Sequence, residues 1–193
     1  MQWHHFTRDD GAAEALVVVL FVHGGCTEAK RLASTWARAV PRSAFAGIEL
    51  EAGARAVAHS ALRDIVTIEA AALDLGIWQV VVVGTGVAGR QVLDLVTTGV
   101  VPGISAIVID LPPGPLPMVP AGTAASIRFV QHVRPDDPDG AGFDALVHAL
   151  RLSSIDTRVV VLPAGADPAS QAFGTFLVEL VANASIGRSG RGR

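Results

Sequence analysis

The sequence predicts an α/β fold, a three-layer α/β/α domain with a mostly parallel sheet. Two observations lead to this prediction. Short apolar runs rich in β-branched residues alternate along the chain with stretches of helical periodicity, as expected when helices connect parallel strands. Half of the 193 residues are hydrophobic and only 17% are charged. Most elements are therefore expected to be buried on more than one side.

The elements follow one another in strict alternation. Strands are predicted at 15–22, 45–50, 79–84, 106–110, 127–133 and 158–162, because each run is short and nearly continuously apolar. Helices are predicted at 28–40, 56–75, 87–98, 142–152 and 169–183, where apolar residues recur with a helical period. The segment 111–122 contains five prolines, which exclude both helix and central strand.

Length and composition limit the classes of function. We expect a single domain over 1–184, followed by a disordered basic tail over 185–193 in which glycines separate the arginines. A net charge of −3 without a basic stripe excludes nucleic acid as a predicted partner, and the one cysteine excludes an internal disulfide. The longest apolar run, 16–22, is too short to span a membrane. These features predict a cytoplasmic protein.

The segment 80–90, VVVVGTGVAGR, allows two interpretations. Gly84, Gly86 and Gly89 have the G-x-G-x-x-G spacing of a dinucleotide-binding turn, and Asp110 ends the next predicted strand, where a ribose-binding acid is expected. That motif normally opens the first βαβ unit, however, whereas two strand–helix units precede it here. The other interpretation is a sharp strand-to-helix elbow, in which the glycines allow close packing.

Four segments resemble, in order along the chain, proteins of the α/β-hydrolase fold, especially the small thioesterase- and dienelactone-hydrolase-like members. Residues 17–40 resemble the strand and His-Gly loop that supplies an oxyanion-hole amide, and residues 79–96 resemble the nucleophile elbow G-x-S-x-G. Residues 127–150 look like the strand and loop that end in the catalytic acid. Residues 156–181 look like the last strand, the catalytic-histidine turn and the final helix.

The resemblance implies a degenerate catalytic triad. The nucleophile position falls on Gly86, the acid on Asp136 or Asp137, and the histidine on Asp167. Because a serine hydrolase needs a hydroxyl nucleophile and an imidazole base, the resemblance implies that this chain is not one. Loss of the nucleophile and histidine side chains leaves the backbone amide donors in place. The amides of Gly25 and Val87 are therefore expected to form an oxyanion hole.

The candidate catalytic residues are Asp167, Asp137 and Asp136. If Asp167 lies close to one of the other two, one carboxyl keeps a raised pKa and can shuttle a proton. The alternative is that Asp167 caps the last helix, since it directly precedes Pro168. The candidate binding residues are Gly25, Cys26, Thr85, Gly86, Val87, Asp110 and His132. The sequence predicts no metal site and no cofactor.

These observations favour a non-hydrolytic enzyme that stabilises an enolate. It would be an epimerase or isomerase, a cyclase or a lyase, acting on a carbonyl-containing peptide or natural-product intermediate in natural-product biosynthesis. One alternative is an inactive pseudoenzyme that binds a small molecule or a partner. The other is a Rossmann-like dinucleotide-binding protein. Since only a short proline-rich segment stands where a lid would be, the pocket is expected to be open or covered by a second subunit in a homodimer.

Overall fold

A computed structural model of the chain describes residues 1–7, 13–50, 59–133, 141–167 and 171–189. The strands within these ranges are β1 (Gln2–Thr7), β2 (Ala15–Val22), β3 (Ser43–Leu50), β4 (Val80–Thr85), β5 (Ser105–Ile109), β6 (Ser126–His132) and β7 (Asp156–Leu162). The helices are α1 (Cys26–Trp36), α2 (His59–Ala72), α3 (Val87–Thr97), α4 (Ala141–Leu152) and α5 (Gln171–Ser189), with a short 3₁₀ turn at Ile77–Gln79.

The strands form one sheet in the order β1-β3-β2-β4-β5-β6-β7. Strand β1 pairs antiparallel with β3, and the other pairs are parallel. This order differs from the 3-2-1-4-5-6 order of the dinucleotide-binding fold. The direction of winding reverses between β2 and β4, and ligands of open α/β sheets bind beyond the carboxyl ends of strands at such a point.

The two faces of the sheet are covered by different helices. Leu16, Val18 and Leu20 of β2 lie in a core with buried residues of α2, α3 and α4. Val17 and Val19 lie in a second core with buried residues of α1 and α5. Consecutive side chains of a strand point to opposite faces, so a continuous apolar run fits a strand buried on both sides. The predicted three-layer architecture is confirmed.

The structure differs from the sequence prediction at both ends of the chain. Strand β1 was not predicted, because two adjacent histidines and Gln2 interrupt its apolar pattern, and it forms through antiparallel pairing with β3. Helix α5 continues to Ser189, beyond the predicted domain boundary at 184, while 190–193 lies outside the described residues. The segment 111–122 contains neither helix nor strand, as predicted. Among the described residues, no helix has the length and apolar character needed to cross a membrane.

One buried cation interrupts the apolar strand β6. The side chain of Arg128 is only 1% exposed and forms ion pairs with Asp156 of β7 at 2.7 Å and Glu179 of α5 at 2.9 Å. Glu179 also contacts Arg158 of β7 at 3.3 Å. An unpaired charge inside a protein is strongly destabilising. Glu179 therefore ties α5 to strands β6 and β7.

The glycines of the strand–helix turn have different roles. A Cβ atom on Gly84 would lie 2.7 Å from the backbone carbon and oxygen of Ala88. One on Gly89 would lie 3.0 Å from the Gly84 carbonyl oxygen and 3.1 Å from Cγ1 of Val108. Strand β4 and helix α3 can therefore approach this closely only because these two positions lack side chains.

We expect Gly84→Ala to lower the free energy of unfolding by about 1–3 kcal/mol, the range for overpacked sites. Gly142→Ala on α4 is the matched control, since a Cβ there meets nothing within 4 Å. It should raise stability slightly, by about 0.4–1 kcal/mol, because alanine reduces the entropy of the unfolded chain. Urea denaturation of both variants measures the difference. Equal stabilities would contradict the packing argument.

Candidate functional site

The candidate site lies at the carboxyl edge of the sheet. There the loop 23–25 follows β2, Gly86 follows β4, Asp110 follows β5, and the loop 163–167 follows β7. His132 is the last residue of β6. Parallel neighbouring strands bring these chain segments to one edge, next to the point where the winding reverses.

Gly86 forms the sharp turn between β4 and α3. Its backbone has φ 57° and ψ −123°, a conformation in which residues with a side chain are strained. Its amide donates to the carbonyl oxygen of Ile109 at 2.8 Å, and its own carbonyl accepts from the amide of Arg90 at 3.1 Å. A Cβ atom on Gly86 would have no atom of the described residues within 4 Å. The turn thus presents open space where a side chain would project.

The backbone amides beside this space differ in availability. Val87 is the first residue of α3, so its amide has no acceptor within the helix. The amide of Gly25 donates to the carbonyl oxygen of Val22 at 2.9 Å. The sequence had led us to expect this amide in the oxyanion hole, but in the structure it already has an acceptor. Cys26 begins α1, so its amide also lacks an acceptor within its helix. Thr85, predicted as a binding residue, is the exposed last residue of β4.

Asp110 and His132 form a tight pair next to the elbow. The carboxylate of Asp110 accepts from the backbone amide of His132 at 2.9 Å and from its Nδ1 at 2.8 Å. On the other side of the ring, Nε2 of His132 donates to the carbonyl oxygen of Ala166 at 2.7 Å. One imidazole therefore connects the chain segments that follow β5, β6 and β7.

The surroundings of His132 favour its charged form. Burial of the ring lowers its pKa, but the hydrogen bond to the Ala166 carbonyl and the contact with Asp110 outweigh burial and raise the pKa above its ordinary value. Both ring nitrogens face acceptors, and only the imidazolium carries a proton on each nitrogen. In its charged form His132 can therefore pair as an imidazolium with the Asp110 carboxylate, and the two side chains are 18% and 30% exposed.

Asp167 forms an ion pair with Arg31 of α1. Its carboxylate accepts two hydrogen bonds from the Arg31 guanidinium, each 3.2 Å long. The same guanidinium binds Glu28 at 2.7 and 2.9 Å. Asp136 and Asp137, the predicted partners, lie outside the described residues. Residues 168–170, between Asp167 and the first described residue of α5, also lie outside the described residues, so capping of α5 by Asp167 stays a prediction. Asp167 faces a cation on α1 and is exposed.

Sequence reasoning did not select Glu49, the residue that holds the loop after β2. Its carboxylate pairs with Nδ1 of His23 at 2.7 Å and with Nε2 of His4 at 3.1 Å. The hydrogen bond from His23, reinforced by the one from His4, keeps the pKa of Glu49 below its ordinary value despite some burial. Its position near the end of the predicted strand 45–50 was the only signal in the sequence, because His4 lies in the unpredicted β1.

The described residues include no group of three or more His, Cys, Asp or Glu side chains arranged to hold a metal ion. The side chains that meet at this edge instead form ion pairs in which a carboxylate faces an imidazole or a guanidinium. The arrangement is suited to binding a polar atom at backbone amides and to moving protons.

We expect the stabilisation contributed by His132 to depend on pH. A group whose pKa is raised by folding stabilises the protein fully below its unfolded pKa, about 6.5 for histidine, and this stabilisation is lost as pH rises through the folded pKa. At pH 5.5, His132→Gln should lower the free energy of unfolding by about 1.5–3 kcal/mol, the range for hydrogen bonds to charged groups.

At pH 9 the difference between wild type and His132→Gln should be much smaller. Urea denaturation at both pH values measures it, with His148→Gln, which alters an exposed histidine of α4, as the control. A difference that is the same at both pH values would show that the imidazolium–carboxylate pair does not stabilise the fold.

Comparison with known proteins shows similarity in structure alone. No protein-family model matches the sequence, and no curated protein is significantly similar to it. The fold resembles the Bacillus cereus carboxylesterase, with TM-score 0.71, 14% identity, and coverage of 95% of this chain and 94% of that one. It also resembles the esterase PE8, with TM-score 0.65, 16% identity, and coverage of 90% and 94%.

A third similar structure is a putative dienelactone hydrolase from Klebsiella pneumoniae subsp. pneumoniae MGH 78578. Its TM-score is 0.66 and its identity 15%, and the match covers 91% of this chain and 89% of that chain. At such low identity the similarity establishes the fold and not the activity. The chain has the α/β-hydrolase fold, with esterases and hydrolases as its structural neighbours.

Proposed function

We propose that this protein is a non-hydrolytic enzyme that binds a carbonyl compound at the Gly86 elbow and moves a proton at the adjacent carbon. The reaction class is epimerisation or another isomerisation, cyclisation, or the bond cleavage of a lyase. The observation that carries the proposal is the elbow itself, with φ 57°, ψ −123° and open space where a side chain would stand. The turn retains its strained shape although no nucleophile is attached to it.

Hydrolysis through an acyl-enzyme is disfavoured by the described residues. Gly86 offers neither hydroxyl nor thiol, and the imidazole of His132 uses both ring nitrogens in bonds to Asp110 and Ala166. An acyl-enzyme mechanism needs a nucleophile and an imidazole free to accept its proton. Proton transfer next to a carbonyl needs only a base and a site that stabilises the enolate oxygen.

The start of α3 can supply that stabilisation. The Val87 amide has no acceptor within the helix, and the helix dipole places partial positive charge at the same end. A carbonyl oxygen bound there would be stabilised most strongly when it becomes a negatively charged enolate oxygen. Because no side chain projects from Gly86, the substrate can occupy the space beside this amide.

Exposed apolar side chains near the elbow support a substrate with an apolar portion. Val22 ends β2, Val87 begins α3, and Val133 follows β6; all three are large apolar residues exposed at this edge. Leu116 and Met118 are exposed in the segment after β5, and the Arg90 guanidinium of α3 binds the carbonyl oxygen of Pro115. A peptide or natural-product intermediate with an apolar substituent fits this surface.

A binding protein without catalysis is the second candidate. It is favoured by the hydrogen bonds of the Asp110–His132 pair, since every donor of the ring already has an acceptor in the protein. Such a pair can serve to hold three loops together and nothing more. Exchange of substrate hydrogen with solvent separates the two candidates, because binding alone does not break a C–H bond.

We expect no hydrolysis of p-nitrophenyl acetate above the rate in buffer. The physical reason is the missing nucleophile at Gly86, and absorbance at the p-nitrophenolate band measures the rate. Turnover that is titrated by a serine-directed phosphonate would contradict the assignment of the elbow. A slow rate that disappears in Cys26→Ala would place the nucleophile on α1 instead.

We expect the wild-type protein in D₂O to accelerate exchange at the α-carbon of at least one of three probes: a β-keto ester, a β-keto thioester and an N-acetyl amino-acid thioester. Gly86→Leu should abolish the acceleration by filling the space beside Val87, and proton NMR measures both rates. The strained φ also makes any side chain here destabilising by about 1–3 kcal/mol. Unfolding must therefore be measured alongside.

Gly86→Ala is the control for backbone strain, because its methyl group carries the same φ penalty but fills little of the space. If wild type and buffer give equal exchange for all three probes, the enzymatic proposal is wrong. Saturation-transfer NMR with the same probes then tests the binding-only candidate.

A further inference from the structure

We propose that Asp110 is the base that removes the substrate proton, and that His132 is the residue that positions it. This inference rests on the proposed function and names the proton acceptor of the same site. It differs from the expectation that Asp167, with Asp136 or Asp137, carries the proton. The juxtaposition that supports it is a carboxylate beside the Gly86 elbow, held from behind by an imidazole.

Asp110 occupies the strand end next to the elbow. The register of the parallel pair β4–β5 places Thr85 opposite Ile109, and the amide of Gly86 donates to the carbonyl oxygen of Ile109 at 2.8 Å. Gly86 and Asp110 are the next residues on these adjacent strands, which run about 5 Å apart. A substrate in the space beside Gly86 therefore lies within reach of the Asp110 side chain.

The backbone of Asp110 is unusual for its place in the fold. It has φ 50°, and the other described non-glycine residues with positive φ, Asp74 and Ser154, lie just after helices α2 and α4. Helices often end in this left-handed conformation, whereas Asp110 follows a buried strand. Such strain persists only when surrounding contacts enforce it. Here the contacts are those of the carboxylate with His132.

His132 binds the Asp110 carboxylate and leaves it with capacity to accept a proton. Its backbone amide and Nδ1 bind Oδ1 at 2.9 Å, and Nδ1 lies 2.8 Å from Oδ2. An ionised carboxylate has about four lone-pair sites, so Oδ2 keeps capacity to accept a proton. The side chain is 30% exposed and is accessible to a ligand. The bond from Nε2 to Ala166 prevents the ring from rotating away.

The proton-transfer step balances without any co-reactant. Oδ2 of Asp110 takes the proton from the carbon next to the carbonyl, and the electrons of the broken C–H bond form the C=C bond of an enolate. The former C=O π electrons move to oxygen, where the Val87 amide stabilises the charge. Return of the proton, or of a deuteron from solvent, to the carbon regenerates both the carbonyl and the ionised carboxylate.

Asp167 is less suited to this role. Its two oxygens are both bound by the Arg31 guanidinium, which also binds Glu28. This network joins α1 to the loop after β7. In the sheet order β7 lies three strands from β4, whereas β5, which Asp110 follows, is the neighbour of β4. The geometry indicates a surface ion pair that ties two segments together.

The experiment compares α-carbon exchange in D₂O by full-length variants, using the β-keto ester, the β-keto thioester and the amino-acid thioester as probes. Asp110→Asn keeps the shape of the side chain but removes its basicity, and we expect the rate to fall at least about 100-fold. Asp110→Gly removes the carboxylate while tolerating φ 50°. Asp110→Gly should therefore also lose α-carbon exchange, even if Asp110→Asn folds poorly.

Asp74→Asn is the matched control, since Asp74 also has positive φ, at 57°, but follows α2 at the opposite edge of the sheet. It should retain the wild-type rate. Exchange that persists in a folded Asp110→Asn protein and is lost in Asp167→Asn would overturn the inference and leave the proposed function intact. Failure of the wild type to exchange any probe would overturn both.

The positioning role of His132 has a separate readout. The wild-type rate should fall as pH rises through the pKa of His132, because the neutral ring keeps only one of its two N–H bonds. In His132→Gln the rate at acidic pH should be lower than in wild type by more than any change in melting temperature explains. The rate of this variant should no longer fall as pH rises. A pH profile of the same shape in the variant would show that His132 has only a structural role.

Discussion

The close approach of β4 and α3 is the constraint on which the rest of this site depends. The approach exists because Gly84 and Gly89 have no Cβ, and each would otherwise overlap backbone or side-chain atoms of its neighbour. It forces the intervening turn into the positive-φ conformation of Gly86 and directs the first amides of α3 beyond the edge of the sheet. An elbow of this shape therefore follows from the packing of α3 against the sheet. It does not depend on having a nucleophile attached to it.

Ion pairs hold the chain segments around the elbow in place. His132 connects the segments after β5, β6 and β7, Glu49 connects the loop after β2 to β1 and β3, and Arg31 connects α1 to the loop after β7. Each involves side chains far apart in sequence, and each uses the charge of one partner to orient the other. The pairs of His23 with Glu49 and of Arg31 with Asp167 each have an exposed partner, so they contribute more to positioning than to stability. This supports a site that binds a ligand in a fixed orientation.

The structural neighbours indicate the fold of the chain, and the local geometry indicates which chemistry its site can perform. The neighbours are esterases and hydrolases whose structures match this chain at 11–16% identity, which establishes the fold. Catalysis depends on which side chains stand at its loops, and in this chain the elbow position is Gly86. The same scaffold is thus combined with a glycine elbow and an adjacent Asp110–His132 pair, which is why we propose proton transfer and not acyl transfer.

The sequence by itself determined the layers, the parallel strands and the elbow. These are encoded locally, because continuous apolar runs indicate strands buried on both faces and the spacing of Gly84, Gly86 and Gly89 indicates a tight strand–helix turn. Only the tertiary structure revealed β1, because the apolar pattern of this strand is interrupted although it pairs with β3. The same holds for the ion pairs of the buried Arg128 side chain with the more exposed Asp156 and Glu179. The tertiary structure also decided the partners of the candidate residues. Asp110 binds His132, and Asp167 binds Arg31, because strand order and register, which no local pattern specifies, determine which loops meet.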